Sequence, residues 1–362
     1  MLRLLLVGIL GAGVLSAAPA TAPAVQPGDP EDVSGAWVVA GGGEGRAYPP
    51  GTRPRRDQRA TTVSPGHDPS ASIRRAEFVR SGLRPGPVVA EWLPWRQLAM
   101  TRPVGPVDSA GVRMFDVGGR LYDHPVIQSQ WGLMTLEAYR RQGLPRLLTT
   151  ARAQADRQVE RHVTSRRAWF FPYRFDFALA RRHGFVERAP WYSGMAQGEA
   201  LSLFSQLAQL PEVEPAARQV YRSAARATFR SLLRRPSRGN PWVSMVDARG
   251  YLWLQEYPNR KVAASDYTFN GHVFALLGLY DYYRLTGSRL AAALFDGAAT
   301  TALHYAKVIR RPGGLSSYCV PHNVFREHYH SIHISLLRQL HWLTGDQRFS
   351  AWARRFSADS PG

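Results

Sequence analysis

Thr268-Phe269-Asn270-Gly271-His272-Val273-Phe274-Ala275-Leu276-Leu277-Gly278-Leu279-Tyr280-Asp281-Tyr282-Tyr283-Arg284-Leu285-Thr286-Gly287 is the stretch on which the fold turns. Phe269, Val273, Leu276, Leu277 and Tyr280 recur at helical spacing, so residues 268–286 read as a helix with a buried stripe. Gly287 supplies the stop, and a second helix follows over 289–309. The same unit of helix, short break and helix recurs at 126–141 and 148–163 about Gly143, at 196–210 and 215–233 about Pro211, and at 331–344 and 346–357 about Gly345. Leu285-Thr286-Gly287 and Leu343-Thr344-Gly345 end corresponding helices alike.

Units repeating at intervals of roughly sixty to seventy residues form an internal repeat. One helical pair cannot bury its apolar face alone, so the pairs must stack. The expected architecture is mainly α, an (α/α) toroid of about four helical pairs over residues 126–362, with an irregular helical bundle as the plainer alternative. Ahead of it, 88–125 reads as a small β-rich element, with two strands in 112–122 about Gly118-Gly119. Residues 25–87, rich in proline, glycine and arginine without an apolar period, read as a linker.

Met1-Leu2-Arg3, an apolar run to Leu15 and small residues through Ala24 have the pattern of a secretory signal peptide over 1–24. That pattern places the chain as secreted or associated with the cell envelope. The apolar run is too short for a comfortable membrane span.

The 362 residues carry 46 lysines and arginines against 27 acids, a formal net charge of +19. Such an excess favours polyanionic partners. The aromatic segments between helical units favour an acidic polysaccharide among them, and no nucleic acid is expected. A single cysteine, Cys319, excludes an intrachain disulfide, and without a Cys-His pairing signature it is not read as a nucleophile. The oligomeric state is left open, a homodimer included.

In a toroid the segments between units line one mouth. Here they are 169–175, 189–199, 253–258 and 317–333, and they concentrate aromatics and chargeable groups. Trp191 and Tyr192, hemmed by Pro190 and Gly194, suit stacking on the apolar face of a pyranose while cations meet its carboxylate. Residues 317–333 hold Tyr318, Tyr329, His322, His328, His330, His333, Arg326 and Glu327. Tyr329 and His333 share a helical face. His330 and His333 lack a third ligand, so no metal site is read there. Nor is there a nucleophile elbow or a phosphate loop.

Glycoside hydrolysis needs two mouth carboxylates, for which Glu256 with Glu199 or Glu327 is available. Glu256, Tyr257, Tyr318 and Tyr329 suggest different chemistry. Removing the C5 hydrogen of a hexuronate needs a base on one face of the ring and donors for the charge that builds on the adjacent carboxylate. In a basic, partly desolvated cleft a tyrosine phenolate is expected to become accessible. A second tyrosine on the opposite face then returns a proton.

From about Tyr122 to its end the chain resembles the D-glucuronyl C5-epimerase family, especially that family's C-terminal helical domain. The carriers are Tyr122-x-His124-Pro125, Trp191-Tyr192-Ser193-Gly194-Met195-Ala196-Gln197-Gly198, Glu256-Tyr257-Pro258, Asn270-Gly271 with Gly278-Leu279-Tyr280-Asp281, and Tyr318 through Tyr329-His330-x-x-His333. The resemblance implies a toroid acting without cofactor as an isomerase on glucuronate-type residues of a heparan-like polysaccharide. It implies catalytic roles for Glu256, Tyr257, Tyr318 and Tyr329, with the choice of base and acid left open. Tyr122, His124, Trp191, Tyr192, Gln197, Asn270, His322, Arg326, His330 and His333 are the expected substrate contacts. Pro321 stands where the family usually carries an arginine, three residues after Tyr318, so either Arg326 or His322 is the replacement cation or the substrate differs. A polysaccharide lyase on the same toroid shares the C5 abstraction, and a non-catalytic acidic-glycan-binding protein uses the aromatics alone.

Overall fold

The computed structural model describes residues 45–51, 78–96, 98–179, 185–237, 239–259, 262 and 265–360. The stretch read as a signal peptide and most of 25–87 lie outside the described residues. Eight α-helices among the described residues carry the fold: α1 Pro125–Gln142, α2 Pro145–Arg161, α3 Gly194–Leu207, α4 Pro215–Ser231, α5 Phe269–Thr286, α6 Arg289–Ile309, α7 Glu327–Thr344 and α8 Gln347–Asp359. The protein is mainly α. Consecutive helices pack as pairs, α1, α3, α5 and α7 form an inner row in which each meets the next, and the even-numbered helices lie behind them.

Local chemistry accounts for these elements. α3 is buried along its whole length, so it has no amphipathic stripe. α4 does: Tyr221, Ala224, Ala225 and Thr228 face inward while Arg222 and Arg226 face water. α2 begins at Pro145, a few residues before the first apolar period, because proline at N1 gives up no hydrogen bond. α7 begins a turn earlier than expected, at Glu327, and so takes Tyr329 and His330 into the helix. α1, α5 and α7 each stop at a glycine in the left-handed conformation, with φ of 67° at Gly143, 64° at Gly287 and 70° at Gly345.

Short strands connect the helices: β1 Gly45–Tyr48, β2 Met114–Val117, β3 Arg120–Asp123, β4 Val163–Ser165, β5 Ala168–Phe170, β6 Asp176–Leu179, β7 Val186–Glu187, β8 Ser244–Val246 and β9 Leu252–Leu254. β2 and β3 form a hairpin about Gly118-Gly119, β4 pairs with β5, β8 pairs with β9, and β1-β6-β7 make a three-stranded antiparallel sheet. Two pieces of the 25–87 segment are therefore tied to the helical unit, through β1 and through the bond from Val79 N to the Gly250 carbonyl at 2.9 Å.

The inner helices run parallel, and the C-terminal halves of all four are crossed by residues 83–96 and 98–100. Gly86 N donates to the Leu343 carbonyl of α7 at 2.8 Å, and Tyr280 of α5 donates to the Gly86 carbonyl at 2.9 Å. Trp92 stacks on Trp342 at 5.4 Å, and the Trp95 indole donates to Ser202 of α3 at 3.0 Å. Arg96 pairs with Glu137 of α1 at 3.0 Å. This strap covers one end of the row. No helix among the described residues is long and apolar enough to cross a membrane.

Candidate active site

The N-termini of the inner helices meet at the end opposite the strap. His124 caps α1 by accepting from Ile127 N at 3.4 Å, and Ser193 caps α3 by accepting from Ala196 N at 3.4 Å. Phe269 N of α5 donates to the Tyr318 carbonyl at 3.1 Å, which fastens Tyr318 to that helix start. Tyr329 lies in the first turn of α7, its ring 4.3 Å from that of Tyr318. A helix N-terminus carries roughly half a positive charge, so their convergence favours an anion here.

Glu256 is delivered to this point by β9. Gln255 N donates to Val243 O at 2.7 Å, and Gln255 O accepts from Gly194 N at 2.7 Å. A Cβ on Gly194 would lie 2.6 Å from that carbonyl, so α3 can start there only with glycine. The Glu256 carboxyl then lies against the first turn of α5, in space that a Cβ on Gly271 would take from Oε2. Tyr318 donates to Oε2 at 3.4 Å, and Tyr257 lines the same pocket as the carboxyl and interacts with it electrostatically.

Burial pushes the Glu256 carboxyl up to about 8, with the negative charge of Asp266 adding to the rise and the tyrosine hydrogen bonds opposing it. Burial, followed by the charge of Glu256, holds Tyr257 and Tyr318 well above the ordinary tyrosine range. The expectation of an accessible phenolate is thus reversed. Desolvation disfavours the charged form of either group, and the carboxyl is the member that titrates nearest neutrality.

A narrow pocket opens on this cluster, lined by His124, Val126, Tyr173, Phe177, Trp191, Ser193, Met195, Glu256 and Tyr257. Trp191 is only 6% exposed. It stacks on Tyr173 at 3.8 Å and donates from its indole to the Phe175 carbonyl at 2.9 Å, so it is a wall of the pocket and not the open platform read from the sequence. Tyr257 lies against Phe177 and Trp191 at 5.8 and 5.9 Å. Burial pushes His124 down to about 3 and keeps the imidazole neutral.

The other expected contacts divide. Gln197 turns into the core, bonded to Phe171 N, the Trp169 carbonyl and Ser231 at 3.0, 2.7 and 2.6 Å. His330 accepts from Ser316 N and faces the Phe356 carbonyl, both at 2.9 Å. His333 is fully buried, bonded to Ser316 and pushed down to about 3 by burial. Neither Gln197 nor His330 has the freedom for substrate, and a neutral His333 is no cation for a carboxylate. Tyr192 is half-buried, edge-on to Phe170 at 5.5 Å. Arg326 is exposed at the start of α7, while His322 pairs with Asp266. Tyr122 and Asn270 are buried and do not line the pocket, and the Tyr122 hydroxyl and Asn270 Oδ1 have no hydrogen-bond partner among the described residues. Tyr173, Phe177 and Asp266 were not singled out from the sequence. The crowding of aromatics in 169–175 was the signal available for the first.

The inner-helix mouth of this mainly α protein thus gathers buried carboxyls, Glu256 with Glu199 and Asp266 nearby, and the tyrosines Tyr257 and Tyr318. Residues 166–358, just over half of the chain, match the D-glucuronyl C5-epimerase C-terminus family, and the chain belongs to that family. Among solved structures, a GH76 α-mannanase from Bacteroides thetaiotaomicron aligns over 65% of this chain and 56% of its own at 11% identity, with a TM-score of 0.42. The Lin0763 protein from Listeria innocua aligns over 65% of this chain and 60% of its own at 12% identity, with a TM-score of 0.40. The chain thus spans less than two thirds of either structure.

Proposed function

We propose that this protein is a uronate C5-epimerase, inverting C5 of glucuronate-type residues in an acidic polysaccharide on an (α/α) toroid. The observation that carries this reading is the buried Glu256 carboxyl, to which Tyr318 donates and beside which Tyr257 lines the pocket. One tyrosine takes the C5 hydrogen as a proton while passing its phenolic proton to ionised Glu256, and the electron pair left on C5 delocalises into the substrate carboxylate. The other tyrosine gives its proton to the opposite face of C5 and is reprotonated by Glu256. One proton leaves the sugar, one returns, and the protein ends as it began. The reverse reaction exchanges the roles of the tyrosines, so neither is permanently base or acid. The converging helix N-termini stabilise the charge that develops on the carboxylate. In the same proposal the +19 charge draws the polymer, and the leader-like first residues deliver the protein to it outside the cytoplasm.

Incubation with glucuronate polymers in deuterated water tests this. Deuterium should appear at C5 in chains of unchanged length. An unsaturated product absorbing in the ultraviolet would make the protein a lyase, and no change at all would leave only binding. Full exchange in both Tyr257→Phe and Tyr318→Phe would refute the cycle. The turnover rate should also rise with pH through about 8, because protonated Glu256 cannot accept a proton; a rate that fell across that range would contradict the role.

A further inference from the structure

Next to the carboxyl and tyrosine cluster the fold assembles three further groups that the proposed cycle does not use. Cys319 Sγ lies 3.3 Å from His322 Nδ1, and that nitrogen lies 2.9 Å from Asp266 Oδ1. All three potential ligand atoms fall within 4.8 Å of one another. Asp266 and Cys319 are fully buried, and the His322 side chain is only slightly exposed. The two segments are held in register by a bridge between Thr268 and Cys319 and by Val320 N donating to the Tyr267 carbonyl at 3.3 Å. Tyr267 itself has φ of 52°, a left-handed conformation that a bulky residue seldom adopts. Thr268 Oγ1 donates to Asp266 Oδ2 at 2.6 Å, so one carboxylate oxygen is occupied and the other is turned to the imidazole.

We infer that Asp266, Cys319 and His322 form a binding site for one zinc-type divalent cation, which braces residues 266–268 against 319–322 on either side of Tyr318. Thiolate, imidazole and carboxylate are the three donor types that zinc takes, with a fourth position left to water. Zn–S near 2.3 Å and Zn–N or Zn–O near 2.0–2.1 Å in a tetrahedron separate sulfur from nitrogen by about 3.6 Å and nitrogen from oxygen by about 3.3 Å. The separations of 3.3 and 2.9 Å need only a small opening to reach those values.

Charge is matched as well. One thiolate, one carboxylate and a neutral imidazole cancel a double positive charge, which removes most of the desolvation cost of burying the ion. The thiol proton leaves to solvent when the metal enters. The Thr268 hydroxyl fixes the carboxylate in the way that outer groups orient metal ligands. The contacts are not those of a nucleophile triad: the same nitrogen, Nδ1, faces both the sulfur and the carboxylate, whereas a relay places one ring nitrogen on each.

The test needs no substrate, and its result is independent of the proposed epimerase activity. The untagged full chain, stripped with a chelator, is titrated with zinc against a chromophoric chelator and separately with cobalt. One equivalent should bind, with a thiolate-to-cobalt charge-transfer band. Cys319→Ser should remove the band and weaken zinc binding at least tenfold. Thr268→Val, which keeps all three ligands, should weaken it by about ten- to a hundredfold. Circular dichroism accompanies each titration, and His322→Ala, at the rim, carries the same test if Cys319→Ser does not fold. Failure of the wild type to bind one equivalent, or unchanged binding in folded Cys319→Ser or folded His322→Ala, would overturn the inference.

Discussion

Glu256→Gln should lose C5 exchange by about a thousandfold while remaining folded, and at pH 9 it should be more stable than the wild type. The loss follows from the cycle: the amide keeps the shape and can still accept from a tyrosine, but it cannot take up a proton, and removal of a positioned proton acceptor typically costs about 10²–10⁴ in rate. The gain follows from linkage. The folded-state pKa of Glu256 is raised to about 8, above the ordinary value of 4.5. Between those values the native protein holds a proton that the unfolded chain has released, so wild-type stability falls as pH climbs through that window and levels off above it. At ~1.4 kcal/mol per unit the penalty is bounded by about 5 kcal/mol, and glutamine, with no proton to lose, escapes it. Urea unfolding at pH 5, 7 and 9 alongside deuterium incorporation measures both arms. Retained exchange would remove Glu256 from the chemistry. A gap between variants that did not widen from pH 5 to pH 9 would mean that the carboxyl is solvated in solution.

Both halves of that prediction depend on how the residue is buried, which is where sequence reading reached its limit. The helical pairs were legible because apolar residues recur at helical spacing, as Phe269, Val273, Leu276, Leu277 and Tyr280 do in α5, and because glycines stop α1, α5 and α7, although α5 is buried on every side from Phe269 through Tyr282 and not along one stripe. The fully buried α3 could be read as a helix, but which residues in it and just before it face a pocket and which face the core could not: Gln197 and Trp191 lie close together in sequence, yet one bonds the core backbone and the other walls the site. His330 and His333 look like mouth residues by spacing, and only the earlier start of α7 and the packing of Ser316 and Phe356 turn them inward. Asp266 was invisible for a related reason. Nothing local marks it, and its partners Cys319 and His322 arrive from a distant segment through the bridge to Thr268. The cluster of Glu256, Tyr257 and Tyr318 could be assembled from motifs, but the direction in which burial moves its proton affinities could not.

The glycines of α5 and of its C-terminal cap make the same point experimentally, because one substitution at three places along this segment should give three different results. Gly278→Ala should be the most damaging, costing ~3 kcal/mol or more, since its Cβ would overlap the Gly198 carbonyl and no side chain is there to move aside. The clash is between two backbones, so α3 and α5 must separate and open the most closely packed seam of the inner row, a large fraction of the ~5–15 kcal/mol that holds a typical protein folded. Gly287→Ala, at a left-handed helix stop with open space around it, meets only the conformational cost and should lose about 1 kcal/mol. Gly271→Ala meets Glu256, whose carboxyl would have to leave the first turn of α5, so it should lose C5 exchange out of proportion to any loss of stability. Urea midpoints and deuterium exchange for the three variants separate these effects. Equal stability losses at Gly278 and Gly287 would refute the close crossing of α3 and α5, and wild-type exchange in Gly271→Ala would refute the placement of Glu256 against α5.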